Sequence, residues 1–311
     1  MQLYPQAQTT TLAAWAQLKG DISPELFTQA LQQVASQYPA LKLSLDSHLG
    51  TLTIPEVAPS LPLLVHSAPQ SLAHIQQQIA QEATQGIDSQ APLLWKTALW
   101  ACQAPALGWV WSLQMHHLIA DGWSFLVFFK QLSDTYQALY STQTPLIQPL
   151  RPLLQPQERA TDAIFWQEKT LRRISPQGAG LHPIQRQSFS VSPLKLRQLQ
   201  AKLAVYQVEP IHFCLLVFLL VLKRYNAHLD LQVGIPLLNR SSRAEREAIG
   251  LFANFMPLSP LPDIYEAWHA VAMMQWLKAQ LRQMYRHQAF PLWKLSQHLD
   301  LAPDARLFRS E

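Results

Sequence analysis

The segment Met115-His116-His117-Leu118-Ile119-Ala120-Asp121-Gly122-Trp123-Ser124-Phe125 sets two adjacent histidines, a carboxylate and a glycine at the end of an apolar run. Imidazole is the side chain that titrates nearest neutrality, so a histidine held uncharged can take a proton from a nucleophile. From Gly108 to His117 the residues read as a strand. Alternation then puts Trp109, Trp111, Leu113, Met115 and His117 on one face and Val110, Ser112, Gln114 and His116 on the other. Only one of the two histidines can face a given cavity, which argues against joint chelation. No further ligands stand at zinc-like spacing, and no metal is expected. Apolar walls lower an imidazole's pKa, so His117 suits general-base work. His116 is expected in a structural, hydrogen-bonded place on the opposite face, and Asp121 is expected to brace the turn by pairing with a cation. An isolated histidine is more often a satisfied core residue. The continuation Asp121-Gly122-Trp123-Ser124 is what turns the reading toward chemistry.

Those residues need a scaffold of mixed α and β elements. Thr9 to Leu18 alternates weakly as a strand, Ser23-Pro24 opens an amphipathic helix with Phe27, Leu31 and Val34 on one face, and Leu41 to Leu45 resumes period two. A helix fits Ser71 to Ala83. Pro92 to Ala101 and Gly108 to His117 follow as two strands joined by a short turn. From Ser124 the period becomes 3.6, with Phe125, Phe128, Phe129, Leu132, Tyr136 and Leu139 as a buried stripe, so the histidine segment lies between strand and helix. Thr144 to Gln157 holds four prolines and reads as an extended crossover. Beyond it come a helix near Thr161 to Arg173, a strand near Gln187 to Val191, a helix from Ser192-Pro193, and Glu209 to Tyr225, apolar almost all round and therefore expected to be buried. Leu229 to Ile235 reads as a strand ended by Pro236, and Tyr265 to Arg286 and Leu292 to Leu299 as closing helices. The order roughly repeats between halves, which predicts two lobes, 1–157 and 158–311, meeting at a cleft.

Composition narrows the function classes. With 311 residues, 49% hydrophobic and only 14% charged, packed cores are expected. The longest apolar run, Phe213 to Leu222, is too short to span a bilayer, and the N-terminus lacks a basic region followed by an apolar stretch, so a cytoplasmic protein is expected. Cys102 and Cys214 provide neither a disulfide framework nor paired metal spacings. The net charge of +4 comes from scattered Lys and Arg, which does not support nucleic-acid binding.

The stretch His116-His117-Leu-Ile-Ala-Asp121-Gly122-Trp123-Ser124 resembles the HHxxxDG signature of nonribosomal peptide synthetase condensation domains. Gly234-Ile-Pro-Leu-Leu-Asn-Arg240 followed by Ile249-Gly-Leu-Phe-Ala-Asn-Phe-Met-Pro-Leu258 is similar to the family's GxPxxxR and VGxFxNxxPL stretch. Arg286-His-Gln-Ala-Phe-Pro291 resembles its RHQxxP segment, and Tyr38-Pro39-Ala40-Leu41-Lys42 its HPALR-like helix ending. The order of all four agrees.

This resemblance implies an α/β fold of two chloramphenicol acetyltransferase-like lobes in a V, with mixed sheets and a tunnel between the lobes. It implies amide-bond formation between a donor thioester and an acceptor amine, each carried on the phosphopantetheine of a peptidyl carrier protein from neighbouring synthetase modules, with no cofactor bound by the domain itself. His117 matches the residue that positions or deprotonates the amine and helps stabilise the tetrahedral intermediate. Asp121 matches a mainly structural position, Arg240 the arginine that pairs with it across the lobes, and Gly122 a close backbone approach. Trp123, Ser124, Phe252 and Asn254 match tunnel-lining positions. The histidine pair excludes heterocyclising relatives, and Trp123 directly after Gly122 separates the chain from epimerising ones. The alternatives are an acyl-CoA-dependent acyltransferase of the same fold and a catalytically silent binding scaffold or remnant. The ends depart from the family: only Ala7-Gln8 matches its opening SxAQ motif, and Leu307-Phe308 resembles the start of a further strand, which leaves an apparently incomplete second lobe.

Overall fold

The computed structural model describes residues 10–46, 50–55, 60–103, 108–141, 151–169, 187–225, 232–258 and 269–298. Ala7-Gln8, Leu307-Phe308, the start of the crossover at 144–150, the helix end at 170–173, the strand start at 229–231 and the helix start at 265–268 lie outside them. Two compact units divide the chain. One comprises Gln6–Pro156 with Arg240–Ala253, the other Gln157–Asn239 with the described residues from Asn254 on.

In the first unit β1 (Thr11–Leu18) is followed by α1 (Pro24–Gln37), a 3-10 turn at Pro39–Lys42, β2 (Ser44–Asp46) and β3 (Thr51–Thr53). Then come β4 (Leu63–Gln70), α2 (Leu72–Gln85), β5 (Trp95–Cys102), β6 (Trp109–His116) and α3 (Gly122–Tyr140). Serine begins both early helices: Ser23 Oγ accepts from the Leu26 N–H and Ser71 Oγ from the His74 N–H, satisfying donors that have no partner inside the helix. The start of the Leu41 to Leu45 stretch departs from the period-two expectation, because a 3-10 turn runs through Lys42. Pro39 starts that turn, and pairing resumes only at Ser44.

A four-stranded sheet runs β1-β6-β5-β4, antiparallel except for the β4–β5 pair. The central strand β6 has a helix layer on each side, and its alternation decides which residue meets which layer. Trp111, Leu113 and Met115 pack with Trp95, Leu99, the α1 residues Phe27, Leu31 and Val34, and the α3 residues Phe125, Phe128 and Leu132. On the reverse face Val110 packs with Ala98, Trp100 and the α2 residues Ile75 and Ile79. Gly108 turns the chain into β6 at φ +56°, where a Cβ would sit 3.1 Å from the Leu18 carbonyl oxygen and 3.2 Å from that of Gly20. Gly108→Ala is therefore expected to destabilise by about 1–3 kcal/mol, read as a lower midpoint in urea.

The second unit contains α4 (Ala160–Glu168), α5 (Pro193–Val205), α6 (Pro210–Tyr225) and β7 (Val233–Leu237). Between its strands the chain leaves for the first unit, where α7 (Arg243–Arg246) forms, and returns with β8 (Asn254–Leu258), α8 (Ala270–Arg286) and α9 (Leu292–His298). Strands β7 and β8 pair antiparallel, and the core joins Leu216 and Leu219 of α6 to Met256, Leu258, Met273, Leu277 and Leu281.

Four sequence expectations change here. Residues 187–191 form no strand ladder among the described residues, and Phe189 stands exposed. Helix α6 buries only His212, Leu216 and Leu219, while Ile211, Val217, Phe218 and Val221 are exposed, because one side of the helix meets the core and the other meets none of it. Pro236 lies inside β7 rather than ending it; a two-stranded ribbon leaves an open side where its missing N–H costs no ladder bond. The segment Arg240–Ala253, expected in the second lobe, packs into the first unit. No single described helix is long and apolar enough to cross a membrane.

Candidate active site

Strand β6 delivers the two histidines to its end. His116 is the last residue of the ladder, opposite Thr11, and its backbone N–H donates to the Leu94 carbonyl at 2.8 Å. His117 has already left the ladder and opens the turn, where its N–H donates to the Thr10 carbonyl at 2.7 Å. The backbone is thus pinned on both sides of the pair.

The two rings have different surroundings. His116 is buried, and its Nδ1 accepts the Leu118 N–H at 3.0 Å, which places the ring proton on a buried Nε2 without a hydrogen-bond partner among the described residues. Protonating Nδ1 would break the Leu118 bond. His117, by contrast, is half-buried. Burial pushes both rings below the usual histidine range. The neighbouring His117 adds to this for His116, and Asp88 opposes it; for His117 a hydrogen bond with the Ala120 backbone and the Asp121 charge oppose it. Because the folded pKa values lie beneath the unfolded value of 6.5, the unfolded chain binds more protons than the native one in the window between them. Unfolding free energy is expected to fall as pH drops from about 7 toward about 5, with the histidine contribution levelling off below the folded values. Urea titrations across that range check this, and a His116→Asn variant should show a shallower slope.

Asp121 begins α3 and works as its N-cap. Its Oδ1 accepts from the Ser124 N–H at 2.9 Å, and Ser124 Oγ in turn accepts from the Asp121 N–H at 3.3 Å, a reciprocal box that sets where α3 starts. The expected cation is present. Arg240 Nη2 donates to Asp121 Oδ1 at 2.9 Å and Oδ2 at 3.1 Å, and both side chains are essentially inaccessible. Burial lowers the Arg240 pKa, with Asp121 the largest opposing influence. The pair was expected to bridge two lobes, yet it lies inside one compact unit, because the chain from Arg240 to Ala253 folds back onto the start of α3. The same carboxylate holds that segment further along: Oδ2 accepts from the Phe252 and Ala253 N–H groups, each at 3.1 Å.

Ser124 is the centre of this network. Its fully buried hydroxyl accepts from Arg240 Nη2 and from the Gly250 N–H, each at 3.2 Å, and has Asp121 Oδ1 and the Gly250 carbonyl both at 2.9 Å as acceptors for its one proton. Arg240 Nη1 donates to the Ala248 carbonyl at 2.7 Å, and its guanidinium lies 4.1 Å from the centre of the Phe252 ring. Gly250 permits this closeness, since a Cβ there would meet Phe252 Cε2 at 2.9 Å. Two further ties reach the segment: Trp123 Nε1 donates to the Arg246 carbonyl at 2.8 Å, and Arg151 bonds the Glu247 carboxylate at 3.2 Å.

The residues expected to line a tunnel therefore separate. Ser124 and Phe252 are buried and hold the scaffold; neither forms an accessible wall. Trp123 is half-buried and tethers the returning segment. Asn254, in the second unit, donates to the Gln288 and Phe290 carbonyls at 2.9 and 2.7 Å and ties β8 to the Gln288-Ala289-Phe290 segment. Gly122 is exposed at the first turn of α3, and a Cβ there would meet no atom of the described residues within 4 Å. The backbone N–H groups of Gly250, Phe252 and Ala253, which bond Ser124 and Asp121, are parts of this network that the residue types alone did not reveal, although the Ile249-Gly-Leu-Phe-Ala-Asn254 pattern marked their location. Among the described residues no cluster of three His, Cys, Asp or Glu side chains is placed to hold a metal.

Comparison with known proteins places this geometry in context. The family model for the condensation domain matches residues 1–311. Enterobactin synthase component F of Escherichia coli O157:H7 is 24% identical over 306 residues, and surfactin synthase subunit 3 of Bacillus subtilis strain 168 is 23% identical over 245. These alignments cover 90% and 73% of the chain, but only 23% and 19% of those long synthetases. The crystal structure of VibH, an NRPS condensation enzyme, superposes with a TM-score of 0.75 at 18% identity, over 97% of this chain and 74% of that one. The starter condensation domain of rhizomide synthetase RzmA gives 0.74 at 22% identity, over 99% and 73%.

Proposed function

The chain belongs to the condensation-domain family, and from that premise we propose that it joins a carrier-bound acyl or peptidyl thioester to a carrier-bound amine in nonribosomal peptide synthesis. Condensation domains are amide-bond-forming acyltransferases. The observation that supports the reading most is a half-buried His117, its pKa lowered by burial, on a turn held from behind by the buried Asp121–Arg240–Ser124 network.

On this reading the acceptor amine attacks the thioester carbonyl, a C–N bond forms, and the nitrogen's proton passes toward His117. Collapse of the tetrahedral intermediate breaks the C–S bond, and the departing thiolate recovers a proton, so that charge and atoms balance. A neutral imidazole orients the amine or takes its proton; an imidazolium can do neither. Asp121 and Arg240 never touch substrate here. They fix the turn that aims His117. The donor and acceptor carrier proteins, their phosphopantetheine arms, neighbouring synthetase modules, a cytoplasmic setting and the correspondence of the two compact units to two catalytic lobes belong to the same proposal.

The test is product formation from two loaded carrier proteins with the wild-type chain and with His117→Ala. Gly122 adds a second. Among the described residues no atom requires glycine there, so Gly122→Ala is expected to change stability by less than about 0.5 kcal/mol, as ordinary surface substitutions do. If substrate backbone packs against that turn, the same methyl group should cut kcat/KM by roughly tenfold, since misplacement near the reacting centre is costly.

A further inference from the structure

A groove of about 350 Å³ in the second unit runs between α8 and the turn that joins α5 to α6. Lys278, Arg282 and Arg286 line it with Tyr206, Gln275 and Gln283, and among the described residues no acidic one does. The three cations recur every fourth residue, which places them on one side of α8, about 6 Å apart along the axis. Helix α8 contains no Asp or Glu at all, and its buried stripe of Met273, Met274, Leu277, Leu281 and Met284 faces away into the core. The charge of the helix C-terminus accounts for a cation in the last turn, which is Arg286; it does not account for Lys278, two turns earlier. Lys202, one turn before Tyr206 on α5, extends the same positive field.

We propose that this groove docks an acidic helix of a partner polypeptide, one whose carboxylates repeat at the same four-residue interval. A phosphate needs donors that converge on one small anion, whereas these cations are strung over about 12 Å of helix and suit a row of separate carboxylates. The rim has the composition of a protein interface. Tyr206, about half exposed, lines the groove with Arg282 and Arg286, and tyrosine and arginine are enriched in such surfaces. Lys278 is already held by the Gln207 carbonyl, so one cation is positioned in advance while the two arginines remain exposed.

Fluorescence anisotropy with the full chain tests this, using a labelled alanine-based helical peptide with glutamates at positions i, i+4 and i+8. A control peptide has the same composition with glutamates on different helix faces. The spaced peptide is expected to bind roughly tenfold more tightly than the control and to weaken with added salt. Arg282→Glu should lose that advantage, and a peptide with lysine at the middle position should restore it. Equal binding of the two peptides overturns the proposal, as does failure of the charge swap in a variant whose circular dichroism matches wild type. Displacement of the peptide by inorganic pyrophosphate at low concentration, with the same dependence on Arg282, would instead make the groove a phosphate site and overturn it too.

Discussion

Arg240→Ala is expected to destabilise the protein by about 3–5 kcal/mol, because it strands a buried carboxylate. Asp121 would keep the N–H groups of Ser124, Phe252 and Ala253 but lose the guanidinium that balances its charge, in a place where neither side chain is accessible to water. The Ala248 and Gly250 carbonyls would lose their guanidinium donors as well. Arg240→Lys is expected to recover little. A single ammonium cannot span both oxygens of Asp121 and the Ala248 carbonyl at once, which the planar guanidinium does with Nη1 and Nη2. Urea denaturation followed by circular dichroism gives the magnitude. An Asp121→Asn, Arg240→Leu double variant should cost less than the sum of its single changes, since the second change removes the charge that the first leaves unpaired. Full additivity would mean the pair is not coupled, and the turn carrying His117 would then need another support.

His117→Ala is expected to lower the rate of amide formation by about 10²–10⁴-fold, the usual contribution of a positioned acid–base group. Its stability effect should stay within about 1 kcal/mol, because the ring is half-buried and what it gives up in the fold is a contact with the Ala120 backbone. The two variants thus separate chemistry from scaffold: Arg240→Ala loses activity through unfolding, and His117→Ala loses it while folded. Wild-type activity should show an acid limb, because burial puts the His117 transition below the usual histidine range and activity declines as pH falls through it. His117→Ala should remove that limb along with the rate. Undiminished product formation by a folded His117→Ala chain would withdraw the catalytic role.

Much of the scaffold was legible in the residues. Ser23-Pro24 and Ser71 mark helix starts because a short hydroxyl side chain satisfies N–H groups that no helix can satisfy internally. The alternation from Trp109 to His116 sorted the strand's faces correctly, with Trp111, Leu113 and Met115 in one core and Val110 in another. His117 shows the boundary of that logic, since it has stepped off the strand into the turn and is no longer governed by period two.

What the chain's periodicity cannot carry is the identity of the partner that covers a face. The apolar run of α6 suggested burial all round, yet only one side of the helix meets the core. Residues 187–191 have strand-like side chains and no strand beside them among the described residues. Local order, and the pairing of a histidine, an acid and a glycine at one strand end, were determined by sequence alone, because caps, turns and face alternation depend on residues a few positions apart. The resemblance had implied that Arg240 would meet Asp121 from 119 residues away; that Ser124 would join them, and that all three would lie inside one unit, were decided only by the tertiary fold. Those contacts depend on the path of the returning segment, and the segment holds that path through backbone N–H groups that every residue type but proline shares.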